Sequence, residues 1–130
     1  MECASVSFSG GKKALVTFQL SCSDLTTALT AGLNKAYFRA PVGFGITEVR
    51  ASLLTAQTSG SIFTVDINQN GTSILSTKLT IDNTEKTSVT ATIPAVISNS
   101  TITNDAEITI DIDQLGNGTA KGLIVTLIGY

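Results

Sequence analysis

The stretch Glu107-Ile108-Thr109-Ile110-Asp111-Ile112-Asp113 alternates apolar and polar side chains without a break. Successive side chains of a β-strand point to opposite faces. An extended chain therefore puts Ile108, Ile110 and Ile112 on one side and Glu107, Asp111 and Asp113 on the other. A helix would spread the same isoleucines around its circumference. The pattern predicts a strand that covers a core with one face only.

The same period recurs upstream. Val49, Ala51, Leu53 and Thr55 share one face against Glu48, Arg50 and Ser52, and Phe63, Val65 and Ile67 oppose Thr64, Asp66 and Asn68. Further strands are expected at residues 5–8, 15–20, 35–39, 73–81 and 88–93. Leu123-Ile124-Val125-Thr126-Leu127-Ile128 is apolar on both faces, which suits either a central strand or a strand whose outer face meets a partner. Turn signals separate these runs. Asn70-Gly71 suits a tight hairpin because both residues tolerate positive φ, and Asp82-Asn83 and Gly116-Asn117-Gly118 act similarly. Residues 24–32 (DLTTALTAG) could hold one helical turn capped by Asp24. Short strands without alternating helices predict an all-β fold, an antiparallel sandwich or barrel of about eight strands. Residues 23–130 form its body, and residues 1–22, less regular in pattern, form an arm or extra strands.

Composition narrows the function classes. The 130 residues fit one domain, and 42% hydrophobic with 14% charged residues excludes a disordered tail or a coiled coil. Net charge is −2, and of the eight basic residues only Lys12 and Lys13 are adjacent, which argues against a nucleic-acid partner. No apolar run approaches the ~20 residues that cross a bilayer as a helix. Met1-Glu2-Cys3-Ala4 lacks the basic and apolar regions of a signal peptide, so synthesis and assembly in a host cytoplasm are expected. Cys3 and Cys22 match no zinc spacing and read as small apolar side chains; a bridge between them would require an oxidising compartment.

The residues suggest no catalytic, cofactor or metal site. Histidine is absent, which removes the commonest general base and metal ligand, and no G-x-S-x-G elbow occurs. Glu107, Asp111 and Asp113 could offer oxygen ligands to calcium, but a solvated strand face is the plainer expectation. Asp66-Ile67-Asn68-Gln69-Asn70-Gly71 fits the opening of a calcium loop, yet Thr77 stands where the bidentate Glu belongs, so a strand entering a hairpin is expected. Seven aromatic residues with no Trp argue mildly against a sugar-stacking pocket.

Several motifs in order resemble a module of bacteriophage virion structural proteins. They are Tyr37-Phe38-Arg39-Ala40-Pro41, Thr47-Glu48-Val49-Arg50-Ala51-Ser52-Leu53, Val65-Asp66-Ile67-Asn68, residues 71–82 (GTSILSTKLTID), Glu85-Lys86-Thr87-Ser88, residues 105–114 (DAEITIDIDQ) and residues 122–129 (GLIVTLIG). The resemblance covers about residues 23–130. It implies a jelly-roll-like β-sandwich, a homotrimer and a place on the capsid surface or a tail fibre, with no catalytic residues to carry over. The module fills nearly the whole chain and no fibre shaft accompanies it. That favours a capsid decoration (cement) protein bound between major capsid subunits, with a tail-fibre or receptor-binding tip as the alternative. Contacts are expected at Val16, Phe18 and Leu20, at Leu123, Val125 and Leu127, and at Tyr130. A receptor-binding tip would instead use loops at residues 43–46 and 99–104.

Overall fold

The computed structural model describes residues 14–130. Alternation sets the strands: β1 (Val16–Ser21), β2 (Gly32–Arg39), β3 (Phe44–Thr55), β4 (Phe63–Gln69), β5 (Thr72–Ser73), β6 (Leu75–Thr77), β7 (Leu79–Ile81), β8 (Val96–Ile97), β9 (Thr101–Ile102), β10 (Glu107–Gln114) and β11 (Lys121–Gly129). One sheet runs β1-β11-β3-β9. The other runs β2-β10-β4-β5 with β7 also on β4, and β6 and β8 form a small ribbon. Every named pairing is antiparallel. Taking β5 to β7 as one interrupted strand and β8 to β9 as another leaves eight strands among the described residues. Their orders are 1-8-3-6 in the first sheet and 2-7-4-5 in the second, which is the wiring of a jelly roll. The expected all-β sandwich is the observed fold.

The core lies between the sheets. From the first sheet come Leu123, Val125 and Leu127 of β11 with Val49, Ala51 and Leu53 of β3; from the second come Ile108, Ile110 and Ile112 of β10 with Phe63, Val65 and Ile67 of β4. The registers align these side chains in rows, such as Phe18–Leu127–Val49 and Ala36–Ile110–Ile67. A one-residue slip in either central strand would turn its apolar set to the outside, so burial itself fixes the register.

Turn chemistry follows the sequence at β4–β5. Asn70 (φ 49°) and Gly71 (φ 85°) close the Gln69–Thr72 pair as a two-residue hairpin, and Asn70 Oδ1 accepts from the Glu107 N–H at 2.9 Å. At the same end of the sandwich, Gly129 permits a close approach. A Cβ there would lie 1.9 Å from the Gly45 carbonyl oxygen, in the row where Gly45 and Tyr130 exchange backbone hydrogen bonds.

Three local expectations change. Residues 88–93 form no strand. They hold a 3-10 turn at Ser88–Thr90, because side chains there take up backbone donors: Val89 N–H donates to Thr87 Oγ1, Ala51 N–H to Ser88 Oγ and Thr92 N–H to Asp82 Oδ2. The run 73–81 is broken into β5, β6 and β7, since Ser73 Oγ accepts from the Leu75 N–H and Ile74 turns back to donate to the Ile67 carbonyl. Residues 24–32 form no helix, although Asp24 makes the expected cap contacts, accepting from the N–H groups of Thr26 (3.0 Å) and Thr27 (2.7 Å). The strand expected at residues 5–8 lies outside the described residues. The expected division after residue 22 falls just behind β1, which pairs with β11 along its whole length.

Truncating Ile110 to Ala should lower the unfolding free energy in urea by about 2–5 kcal/mol, whereas Thr17→Ala on the outer face should change it by less than about 0.5 kcal/mol. Gly129→Ala should destabilise despite adding a single methyl group, because the atom it meets is backbone and has no rotamer to yield.

Candidate functional site: a braced carboxylate cluster and the exposed apolar surface

The two aspartate motifs meet in space. Asp111 of β10 and Asp66 of β4 are direct cross-strand partners on the outer face of the second sheet, and with Asp113 they bring carboxylate oxygens within 4.8 Å of one another. Like charges placed opposite each other destabilise a sheet unless something compensates. The compensation is local. Asp111 Oδ1 accepts from the Asn34 N–H at 2.8 Å and Oδ2 from Asn68 Nδ2 at 2.9 Å. Asp66 Oδ1 accepts from Ser73 Oγ at 2.6 Å and from the Ile67 N–H at 2.9 Å. The Lys78 ammonium donates to Asp113 Oδ2 and lies 3.6 Å from Asp66 Oδ2. The hydrogen bond to Asp113 holds the Lys78 pKa above its ordinary 10.5, and Asp66 adds to the effect.

The expected solvated acidic face holds for Asp113, which is exposed, but not for Asp111. Asp66 and Asp111 are buried, at 5% and 8% exposure, and Glu107 stands apart from the cluster. The cause is a bulge. β2 loses register against β10 between Ile110 and Ile112, and Asn34 at φ 55° brings its N–H down onto Asp111. Among the described residues no buried side-chain nitrogen or oxygen lacks a partner. The cluster is a filled network that ties β2, β4, β10 and the 73–78 segment together. The near-match to a calcium loop is the β4–β5 hairpin, and Thr77 belongs to β6.

The contact candidates fare unevenly. Leu123, Val125 and Leu127 are wholly buried because they point from β11, an interior strand, into the core between the sheets, so they have no area to offer a partner. Leu20 is also buried, while Val16 and Phe18 are partly buried against the core. The Phe18 ring packs on Phe38 and Phe44, with centroids 5.1 and 5.3 Å apart. Tyr130 alone of the seven is exposed, at 49%. Of the two expected loops, Phe44 and Gly45 pair with Ile102 and Thr101, while residues 99–100 and 103–104 lie outside β9 and are exposed.

Other residues carry the exposed apolar surface. Leu33 and Tyr37 stand out from β2, an edge strand, and Val89, Ile93 and Val96 from the irregular connection between β7 and β9. Alternation in β2 marked Tyr37 as outward-facing. Nothing in the sequence marked residues 88–97, whose exposure follows from the lost strand. A groove of about 460 Å³ lies there, with Thr47, Glu48, Val49 and Arg50 on one side and Val89, Pro94, Ala95, Val96 and Ile97 on the other.

Cys22 is buried with its Sγ directed at the Leu20 carbonyl, and burial pushes the thiol up to about 11. Cys3, its suggested partner, lies outside the described residues.

Lys78→Met should destabilise the fold by about 1 kcal/mol, the half-exposed ammonium being partly screened, and by more than Lys86→Met in the same urea titration. Because the folded Lys78 pKa is raised above 10.5, its contribution holds below that pH and fades as pH climbs through the folded value. The Lys78→Met deficit should therefore shrink in strongly alkaline buffer. In a Cys3→Ser background, Cys22 should resist Ellman's reagent at pH 8 until denaturant is added, since burial keeps the thiol protonated. Its stabilising contribution is intact below pH 9.0 and is lost as pH rises towards 11.

No family model, no curated protein and no solved structure matches the chain.

Proposed function

We propose that this chain is a phage virion structural protein, a capsid decoration subunit that docks as a homotrimer on the major capsid protein and stabilises the head. The observation that carries the reading is the 1-8-3-6 and 2-7-4-5 wiring, the jelly-roll order that the virion-protein motifs call for. Jelly rolls also serve as lectins and cupins, so the surface must separate these roles.

Three features support docking over turnover. Charged residues are only 14% of the chain, so a contact of the ~1,000 Å² a stable site needs would desolvate few charges. Large apolar side chains, among them Leu33, Tyr37 and Ile93, are more than half exposed on a domain whose core is already filled. The carboxylates that could serve as acid and base are engaged with each other's neighbours and with Lys78, and no histidine is available to replace them. The tail-fibre reading is less favoured because part of each segment expected to contact a receptor, Phe44–Gly45 and Thr101–Ile102, is paired into the first sheet.

Quantifying the protein against the major capsid protein in purified particles tests this directly. A fixed, high copy number that follows the capsomers is expected, and particles lacking the protein should release DNA at lower temperature. A few copies per particle, or copies confined to the tail, would sink the proposal.

A further inference from the structure

The tripeptide Asn-Gly-Thr occurs twice, at residues 70–72 and 117–119. An asparagine followed by glycine can modify itself. The glycine nitrogen attacks the asparagine Cγ, and with no Cβ in the way a succinimide ring closes readily. By sequence the two sites are equivalent. Both asparagines are exposed, neither glycine donates its N–H to a described residue, and a Cβ at either glycine would meet nothing within 4 Å. What separates the sites is where the carboxamide points.

At Asn70 it points away from its own following peptide. Asn70 N–H donates to the Glu107 carbonyl at 2.8 Å, and Asn70 Oδ1 accepts from the Glu107 N–H at 2.9 Å. Both bonds go to one residue of β10, so backbone and side chain are fixed together in the hairpin. The partner of Oδ1 is thus Glu107 and not the Thr72 hydroxyl. At Asn117 the carboxamide is folded along the peptides that follow it. Its Oδ1 accepts from Thr119 Oγ1 at 3.0 Å and from the Thr58 N–H at 3.4 Å, and its Nδ2 donates to Thr58 Oγ1 at 2.6 Å. These are contacts the ring closure needs. Donors at Oδ1 stabilise the negative charge that develops there as Cγ becomes tetrahedral. The Thr58 hydroxyl stands where it can protonate the departing nitrogen.

We propose that Asn117 is a self-modifying site, which converts to aspartate and isoaspartate in the folded protein while Asn70 persists. The Gly118 nitrogen forms a bond to Asn117 Cγ, the Cγ–Nδ2 bond breaks, and the proton lost by Gly118 leaves with Nδ2 as ammonia. Water then opens the ring. Attack at Cγ gives aspartate; attack at the Asn117 backbone carbonyl gives isoaspartate, which adds a methylene to the main chain. The change falls on a tie between two connections. Asn117 N–H donates to the Ser59 carbonyl at 3.0 Å and Gly116 N–H to Gln57 Oε1 at 2.8 Å, holding the β10–β11 connection to the β3–β4 connection. A longer main chain, and a carboxylate where Thr58 Oγ1 now accepts from an amide, loosen that tie. The inference is independent of the virion reading.

The repeated tripeptide supplies an internal control. The full-length chain is aged in mildly alkaline buffer and digested with trypsin, which puts Asn70 and Asn117 in different peptides, after Arg50 and after Lys86. Fragment masses locate each conversion of amide to acid. In the folded chain Asn117 should convert about tenfold or more faster than Asn70. In denaturant the two rates should converge, because only the fold distinguishes them. Equal rates in the folded chain, or faster conversion at Asn70, overturn the proposal. Thr58→Val and Thr119→Val test the hydroxyls while keeping side-chain shape, and both positions are exposed, so the core is untouched. Each should slow conversion of Asn117 in the folded chain and leave its rate in denaturant unchanged. Unchanged or faster conversion in the folded variants refutes the assignment, since the contacts would then shield the carboxamide instead of activating it.

Discussion

The apolar rows buried between β10 and β11 are the constraint to which the other strands are fitted. Each of these strands is central in its own sheet and faces the other sheet with side chains that water does not reach: Ile108, Ile110 and Ile112 against Leu123, Val125 and Leu127. Their neighbours are held in register because any slip would expose a whole row. The two strands lie next to each other in sequence, joined by residues 115–120, yet belong to different sheets. The connection therefore crosses from one layer to the other, and the same layer-switching at β1–β2 and β3–β4 rolls the chain into a jelly roll. These pairings are distant in sequence, with Val16 meeting Gly129, so the fold depends on contacts that form across nearly the full described chain.

Outside this core, polar groups do two kinds of work. On the second sheet, Asp66, Asp111 and Asp113 would repel one another if left alone. Lys78 and four hydrogen-bond donors convert the repulsion into a clasp across β2, β4 and β10. Serving the network occupies the carboxylates, so the same residues that look like ligands in sequence act as structural ties. Around residues 82–92, hydroxyl and carboxylate side chains take backbone donors that a strand would otherwise satisfy. The consequence is an irregular connection that leaves part of β3 unpaired and lifts Val89, Ile93 and Val96 into solvent. Surface suited to contact thus arises where local side-chain bonding defeats strand pairing.

A protein that works by docking must present area without spending its core. Here the core takes the inner faces, and projecting apolar residues such as Leu33, Tyr37, Val89, Ile93 and Val96 lie on an edge strand and on one irregular connection. Low charge density keeps the desolvation cost of a contact small. These properties support the proposed docking role.

The sequence by itself determined the strand character, the inward set and the main hairpin. Period-two alternation at residues 107–113, 49–55 and 63–67 is a local property, and Asn70-Gly71 adopts positive φ wherever it stands. It also marked β11 as unusual, through its two apolar faces. Only the tertiary structure decided that β11 is interior to its sheet and that the second sheet covers Leu123, Val125 and Leu127, because both depend on which strands pair with it and pack on it. The aspartate cluster was equally out of reach. Asp66 and Asp111 are 45 positions apart, and their burial depends on a bulge in a third strand and a lysine from a fourth segment. Alternation says which way a side chain points relative to its own strand; what covers it there is settled by the rest of the chain.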